Sequence, residues 1–198
     1  MRLNKVANGQ SIPRKLMMGL MQLAIGMPAP DVMRVLTYRP EFFGKPYSAW
    51  LHEVMRGPSE WSVGERELFA AFTSRKNKCQ FCTSSHTAVS SMALNNPDLV
   101  EAVLNDWQNA PINSKVRATL TLLEKLTLEP EKVTCADMER VRDAGVRKQA
   151  IEEAIRVCAL FNIINRLADA FDFDPMRDGK PEIVTKAAKM MLKYGYKI

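Results

Sequence analysis

Two thiols, an imidazole and a carboxylate stand close together in this chain. They lie in Cys79-Gln80-Phe81-Cys82-Thr83-Ser84-Ser85-His86, with Glu67 twelve positions ahead of the first cysteine. Such groups make a cysteine redox centre: a thiolate is the nucleophile, a base or positive charge creates it, and a second thiol captures the oxidised product. At about 100° per residue, positions 79, 82 and 86 fall within roughly a 60° sector of one helix face. Cys82 and His86 are then i, i+4 neighbours, and Cys79 and Cys82 an i, i+3 pair. A helix starting near Cys79 holds both sulfurs in its first turn, where the helix dipole favours a thiolate. Arg75, Lys76 and Lys78 would add to that field. An antiparallel turn at Asn77-Lys78 brings Glu67 opposite His86 or one turn beyond it. Ala70, Ala71 and Ser74 on the same face are small enough for close approach. A carboxylate against the imidazole would fix its tautomer and raise its basicity, so that His86 could take a proton from Cys82 directly or through water.

The same residues admit other chemistry. Cys79, Cys82 and His86 are three plausible zinc ligands, with Cys135, Cys158, His52 or Glu67 as the fourth, although no second ligand pair has finger-like spacing. A redox sensor or scaffold that forms the disulfide without turning over uses the same two thiols. Haem attachment is excluded because Thr83, not histidine, follows Cys82. A thioredoxin-type fold is excluded because no βαβ pattern surrounds the pair.

The elements that must position these groups read as helix after helix. Ser11 and Pro13 open a helix to Ile25, Asp31 to Thr37 forms a short one, and Pro40 to Arg56 is broken near Gly44-Lys45-Pro46. Ser62 and Glu65 form a capping box, predicting a helix from Val63 to about Lys76; the next runs from near Cys79 to about Leu94. Asn96-Pro97 starts a helix to about Trp107, Asn113 to Leu128 is amphipathic, and Thr134 with Asp137 caps another that Gly145 ends. Arg147 to Phe171 is long, with a wide apolar face that includes Asn165. A polar loop from Asp172 to Lys180 leads to a final helix, Pro181 to Tyr194, stopped by Gly195. The expected fold is one all-α domain over 1–198: an N-terminal helical region at 1–60, a core at 61–172 and a C-terminal helix at 180–195.

Bulk properties agree. The chain has 198 residues, 46% hydrophobic and 25% charged, which suits one globular domain with a substantial core. The net charge is +6, but basic residues are interspersed with 22 acids and no nucleic-acid module accompanies them. Four cysteines are too few for a disulfide-stapled secreted domain and fit a reducing cytoplasm. Cys135 and Cys158 lie in helical patterns and read as inert buried thiols. Leu16 to Met27 is too short to span a bilayer and reads as a core-facing helix rather than a signal peptide. Met17, Met18 and Met21, with Met190, Met191 and Leu192, offer apolar surface for self-association.

The assembled residues resemble the alkylhydroperoxidase D-like group of the carboxymuconolactone decarboxylase superfamily, in its peroxidase-related variant. The E-x11-C-x2-C-x3-H pattern of Glu67, Cys79, Cys82 and His86 carries most of the likeness. Glu124 to Pro130, Val133-Thr134, Phe161 to Ala170, and Arg39-Pro40 with Trp50-Leu51 extend it over roughly residues 30 to 174. The resemblance implies an all-α fold with an active-site helix hairpin, assembly as trimers or hexamers, and thiol-dependent peroxidase activity without a bound cofactor or metal. It implies that Cys82 is the peroxidatic cysteine, Cys79 the resolving one, and His86 and Glu67 the proton relay. The partners it implies are a hydroperoxide and a dithiol reductant, which in the group can be a lipoyl group on an adaptor protein; neither nucleic acid nor membrane is expected. Where some members carry a second histidine between the cysteines, this chain has Phe81, so the relay would lack one polar element.

Overall fold

The computed structural model describes residues 1–26, 28–174 and 181–197, and every regular element among them is helical. In chain order these are α1 (Asn4–Asn8), α2 (Ile12–Ile25), α3 (Asp31–Tyr38), α4 (Lys45–Arg56), α5 (Val63–Lys76), α6 (Gln80–Leu94) and α7 (Pro97–Asp106). They are followed by α8 (Ser114–Leu128), α9 (Cys135–Asp143), α10 (Lys148–Phe171) and α11 (Pro181–Tyr194). A π-helical turn, Pro40–Gly44, runs straight into α4, which is the form the expected break at Gly44-Lys45-Pro46 takes. The short α1 has no counterpart in the sequence reading. Lys180 and 175–179 of the expected polar loop lie outside the described residues.

The middle of the fold is α5. Leu68 through Ser74 are all buried, so this helix has no broad polar face and packs against α4, α6, α7, α8 and α10. Its start is fixed locally: Ser62 Oγ accepts from the Glu65 N–H at 3.2 Å, and Glu65 Oε2 accepts from the Ser62 N–H at 2.8 Å. At its far end Lys78 takes a left-handed conformation, φ 60°, and the chain reverses into α6. The two helices close tightly at their outer ends: a Cβ on Gly64 would lie 2.5 Å from the Leu94 side chain. Ser90 Oγ donates to the Gly64 carbonyl at 3.0 Å. The long α10 crosses this hairpin, and Asn165 anchors it there. The Asn165 amide donates to Ser74 Oγ at 3.0 Å and accepts from Asn77 Nδ2 at 3.0 Å.

Of the expected methionine face on α2, Met18 is buried and Met17 exposed, and Ile12, Leu16, Leu20 and Leu23 beside them are all more than half exposed. Among the described residues no helix is long and apolar enough to cross a membrane.

The α9 cap contains a test of the fold's electrostatics. Asp137 Oδ2 accepts from Lys125 Nζ at 2.7 Å, the Thr134 N–H at 2.7 Å and Thr134 Oγ1 at 2.9 Å. Lys125 first, then Thr134, hold its carboxyl down from 3.8 to about 2. A carboxyl depressed on folding stabilises above its unfolded value, and that stability is lost as pH falls through the folded one. Asp137→Asn is therefore expected to lower the thermal midpoint at neutral pH, with the gap to the native protein narrowing from about 3.8 down to about 2. Circular-dichroism melts across that range check it, and a gap that does not depend on pH would contradict it.

Candidate active site

The hairpin brings all four sequence-picked residues into one buried group. Glu67 is fully buried on α5, and Cys79, Cys82 and His86 follow one another along α6, at 1%, 3% and 7% exposure. His86 Nδ1 meets Glu67 Oε2 at 2.6 Å, so the antiparallel register read from the spacing holds. The His86 ring stands edge-on to Phe161, 4.5 Å between centroids. With Nδ1 donating to the carboxylate, Nε2 is the nitrogen left for proton exchange. Among the described residues no hydrogen bond joins His86 to either sulfur.

Two side chains at this carboxylate were not anticipated. Arg56, from the last turn of α4, places Nη2 2.7 Å from Glu67 Oε1. Tyr196, beyond the end of α11, donates its hydroxyl to the same oxygen at 2.6 Å. Burial alone would raise the Glu67 carboxyl, but His86, Arg56 and Tyr196 outweigh it and hold it below the usual carboxylate range. Arg56 reads in sequence as an ordinary basic residue ending a helix. Tyr196 stands past a helix-stopping glycine, where no periodicity applies. The only available signal was Glu67 itself: a carboxylate on so apolar a helix demands a compensating cation, without saying which.

The basic cluster before Cys79 does not play the part expected of it. Lys76 pairs with Glu124 at 2.6 Å, and Arg75 and Lys78 are exposed. The cation of the site is Arg56, and it acts on the carboxylate rather than on the sulfurs.

Cys79 is the N-cap of α6, with Cys82 at the third helical position. Contact with the Cys82 thiol, helped by the Cys82 N–H, holds the Cys79 thiol below its usual value against burial and Asp169. The same contact, burial and the Cys79 charge push Cys82 well above its usual value, with only the Asn165 amide pulling it down. The contact between the two thiols thus favours ionisation of Cys79 over that of Cys82. A cleft of about 330 Å3 opens near the start of α6, lined by Arg2, Lys78, Phe81, Asp169, Asp172 and Phe173 among others and by no cysteine. Phe81 and Phe173 meet edge to face at 5.3 Å in its wall. A larger hollow of about 560 Å3 between Glu53, Ser59 and Glu153 holds neither cysteine.

The other two cysteines separate. Cys158 is buried against Thr127 and Asn162, as expected, and burial raises its thiol. Cys135 is exposed at the first position of α9, which corrects its reading as a buried thiol: that short helix turns this side to solvent. Among the described residues no group of three or more His, Cys, Asp or Glu side chains is gathered so as to hold a metal ion.

An uncharacterized peroxidase-related protein from Silicibacter sp. TM1040 superposes with a TM-score of 0.78 at 26% identity, over 91% of this chain and 94% of that one. An alkylhydroperoxidase AhpD core, an uncharacterized peroxidase-related protein from Ralstonia eutropha JMP134, gives 0.75 at 22% identity over 95% of each chain. The debrominase Bmp8, in a cysteine-to-alanine form bound to 2,3,4-tribromopyrrole, gives 0.69 at 13% identity over 90% of this chain and 91% of that one. No protein-family model and no curated protein matches the sequence. The chain has the all-α alkylhydroperoxidase D-like fold. Its structural neighbours set it beside the peroxidase-related proteins, as the sequence resemblance implied.

The Glu67–Arg56 pair sets a stability test. Removing one partner of a buried pair leaves the other charge uncompensated, at a cost of about 3–5 kcal/mol. Glu67→Ala is expected to lose stability on that scale in urea unfolding, and a loss no larger than that of an exposed substitution would contradict the burial of this pair.

Proposed function

We propose that this protein is a thiol-dependent peroxidase that reduces hydroperoxides through a Cys79–Cys82 dithiol/disulfide cycle. The observation that carries the reading is the pair of buried thiols in contact at the start of α6, one turn from a carboxylate-bound histidine. The debrominase of the same fold means that fold alone does not choose the substrate, so the reading rests on the dithiol.

Before attack, the Cys82 proton passes to the Cys79 sulfur or to His86 Nε2, leaving the thiolate on Cys82. That thiolate attacks one oxygen of the hydroperoxide. The O–O bond breaks, Cys82 becomes a sulfenic acid, and the leaving alkoxide takes a proton to depart as an alcohol. The Cys79 sulfur then attacks the sulfenic sulfur, forming the disulfide and releasing water. An external dithiol reduces the disulfide by two exchange steps and is itself oxidised. Cys82 takes the attacking role because His86 lies one turn further along its own helix face. Cys79 takes the resolving role. A lipoyl-type dithiol on an adaptor protein is the reductant the family resemblance supports. That resemblance and the exposed stripe of Ile12, Leu16, Leu20 and Leu23 also support assembly of several copies.

The primary test is a free-thiol count and peptide map before and after one equivalent of an organic hydroperoxide, on a Cys135→Ser background so that the exposed thiol does not report. Loss of two thiols, mapped to Cys79 and Cys82, is expected. Survival of all the thiols would end the peroxidase reading. Disulfide formation without steady turnover when a dithiol is supplied would make the protein a sensor.

The roles are tested separately. Cys82→Ser is expected to abolish peroxide consumption. Cys79→Ser is expected to consume one equivalent and stop, with a sulfenic acid that dimedone traps on Cys82. The opposite pattern would exchange the two assignments.

A further inference from the structure

We infer that Tyr196, carried in by the segment after α11, is a positioning residue of the dithiol site. Its hydroxyl and Arg56 fix the Glu67 carboxylate so that its second oxygen is free to hold His86. The inference deepens the dithiol peroxidase reading and rests on it for the catalytic part of its test.

The segment is anchored at every point that places the phenol. Gly195 turns the chain with φ +69°, and a Cβ there would lie 2.5 Å from His52 Nδ1, so the turn requires glycine. The Tyr196 N–H donates to His52 Nδ1 at 3.2 Å, and the Tyr196 carbonyl accepts from Ser48 Oγ. The Arg56 guanidinium lies over the phenol ring, 4.8 Å from its centroid. So held, the hydroxyl stands 2.6 Å from Glu67 Oε1 and 3.5 Å from His86 Nδ1.

Packing does not account for this arrangement. Tyr196 is only part-buried as a residue, yet its polar end is the part that reaches inward. Neutralising Glu67 does not account for it either, because Arg56 already supplies one positive charge at 2.7 Å. What the hydroxyl adds is direction. Two donors converge on Oε1, which orients the carboxylate plane and leaves Oε2 to His86 at 2.6 Å. Tyr196 also supplies a polar group where Phe81 left the relay one short. Burial and the Glu67 charge keep the phenol protonated, so it remains a donor.

The hydroxyl also draws charge from the carboxylate. Without it, more negative charge falls on Oε2, which favours the protonated His86 ring, so at neutral pH the ring is less often free to accept the Cys82 proton. The other groups facing this cluster stay in place when only the hydroxyl is removed. They are Arg66 beside Glu67, Tyr47 and Asp169 toward the thiols, and His52 with Lys197 along the segment.

The test is Tyr196→Phe in the full chain, with tert-butyl hydroperoxide and a small dithiol as substrates. At neutral pH kcat is expected to fall about tenfold with KM for the hydroperoxide unchanged, and the acid limb of the pH profile to move up by roughly half a unit or more. A chain ending at Gly195 removes the hydroxyl by another route and is expected to show the same displacement. Native kcat and a native acid limb in both would overturn the inference. If the native protein reduces no hydroperoxide, the peroxidase reading fails by itself. The 15N spectrum of His86, one of two histidines in the chain, then decides the positioning role. Ring-nitrogen shifts that move with pH differently in Tyr196→Phe support it, and superimposable titrations overturn it.

Discussion

Everything at this site follows from burying one carboxylate. Taking an ion out of water costs several kcal/mol even after relaxation, and the cost is offset only when its oxygens are fully engaged. Glu67 is engaged from three directions: Arg56 at the end of α4, His86 on α6 and Tyr196 in the segment after α11. Those elements are far apart in the chain, so the carboxylate acts as the register mark at which they meet. This explains why α5 is central and why it is lined with Ala70, Ala71 and Ser74. Bulkier side chains there would hold α6 too far off for a 2.6 Å contact to His86.

The thiols depend on the same hairpin but by a different physics. Reversal at Lys78 puts Cys79 at the cap of α6, where a negative sulfur has helix N–H groups ahead of it. Cys82, one turn in, is shielded from water and sees the Cys79 charge, so it cannot ionise at the same time. The asymmetry of the two thiols is thus a property of where the helix begins, needing no nearby lysine. One thiol is favoured for ionisation and the other lies one turn from the histidine, so the pair has two unlike ends.

How much of this was legible in the sequence depended on whether the signal was local. The i, i+3 and i, i+4 spacing of Cys79, Cys82 and His86, the Ser62 capping box and the small residues after Glu67 are all short-range, and together they set the hairpin and its register. The helical character of nearly every segment was legible for the same reason. Arg56 and Tyr196 were not, because each reaches Glu67 through tertiary packing from a position whose local sequence explains it otherwise. Arg56 looks like a helix-ending cation, and Tyr196 like the remainder after a stop. The basic run at Arg75, Lys76 and Lys78 erred in the opposite direction. Proximity in sequence suggested a field at the thiols, but the helix directs Lys76 to Glu124 and leaves the other two in solvent.

Phe81 shows how the two halves of the site divide the work. In place of a polar residue between the cysteines, its ring meets Phe173 in the wall of a cleft whose other lining includes the charged Arg2, Lys78, Asp169 and Asp172. The polar groups gather instead on the far side, around Glu67 and His86, where the cleft does not reach. Both sulfurs belong to the start of the helix that carries His86. With a phenyl ring at position 81, the further donors to Glu67 come from outside the cysteine segment, from Arg56 and Tyr196, so the carboxylate is fully engaged without a polar residue between the cysteines.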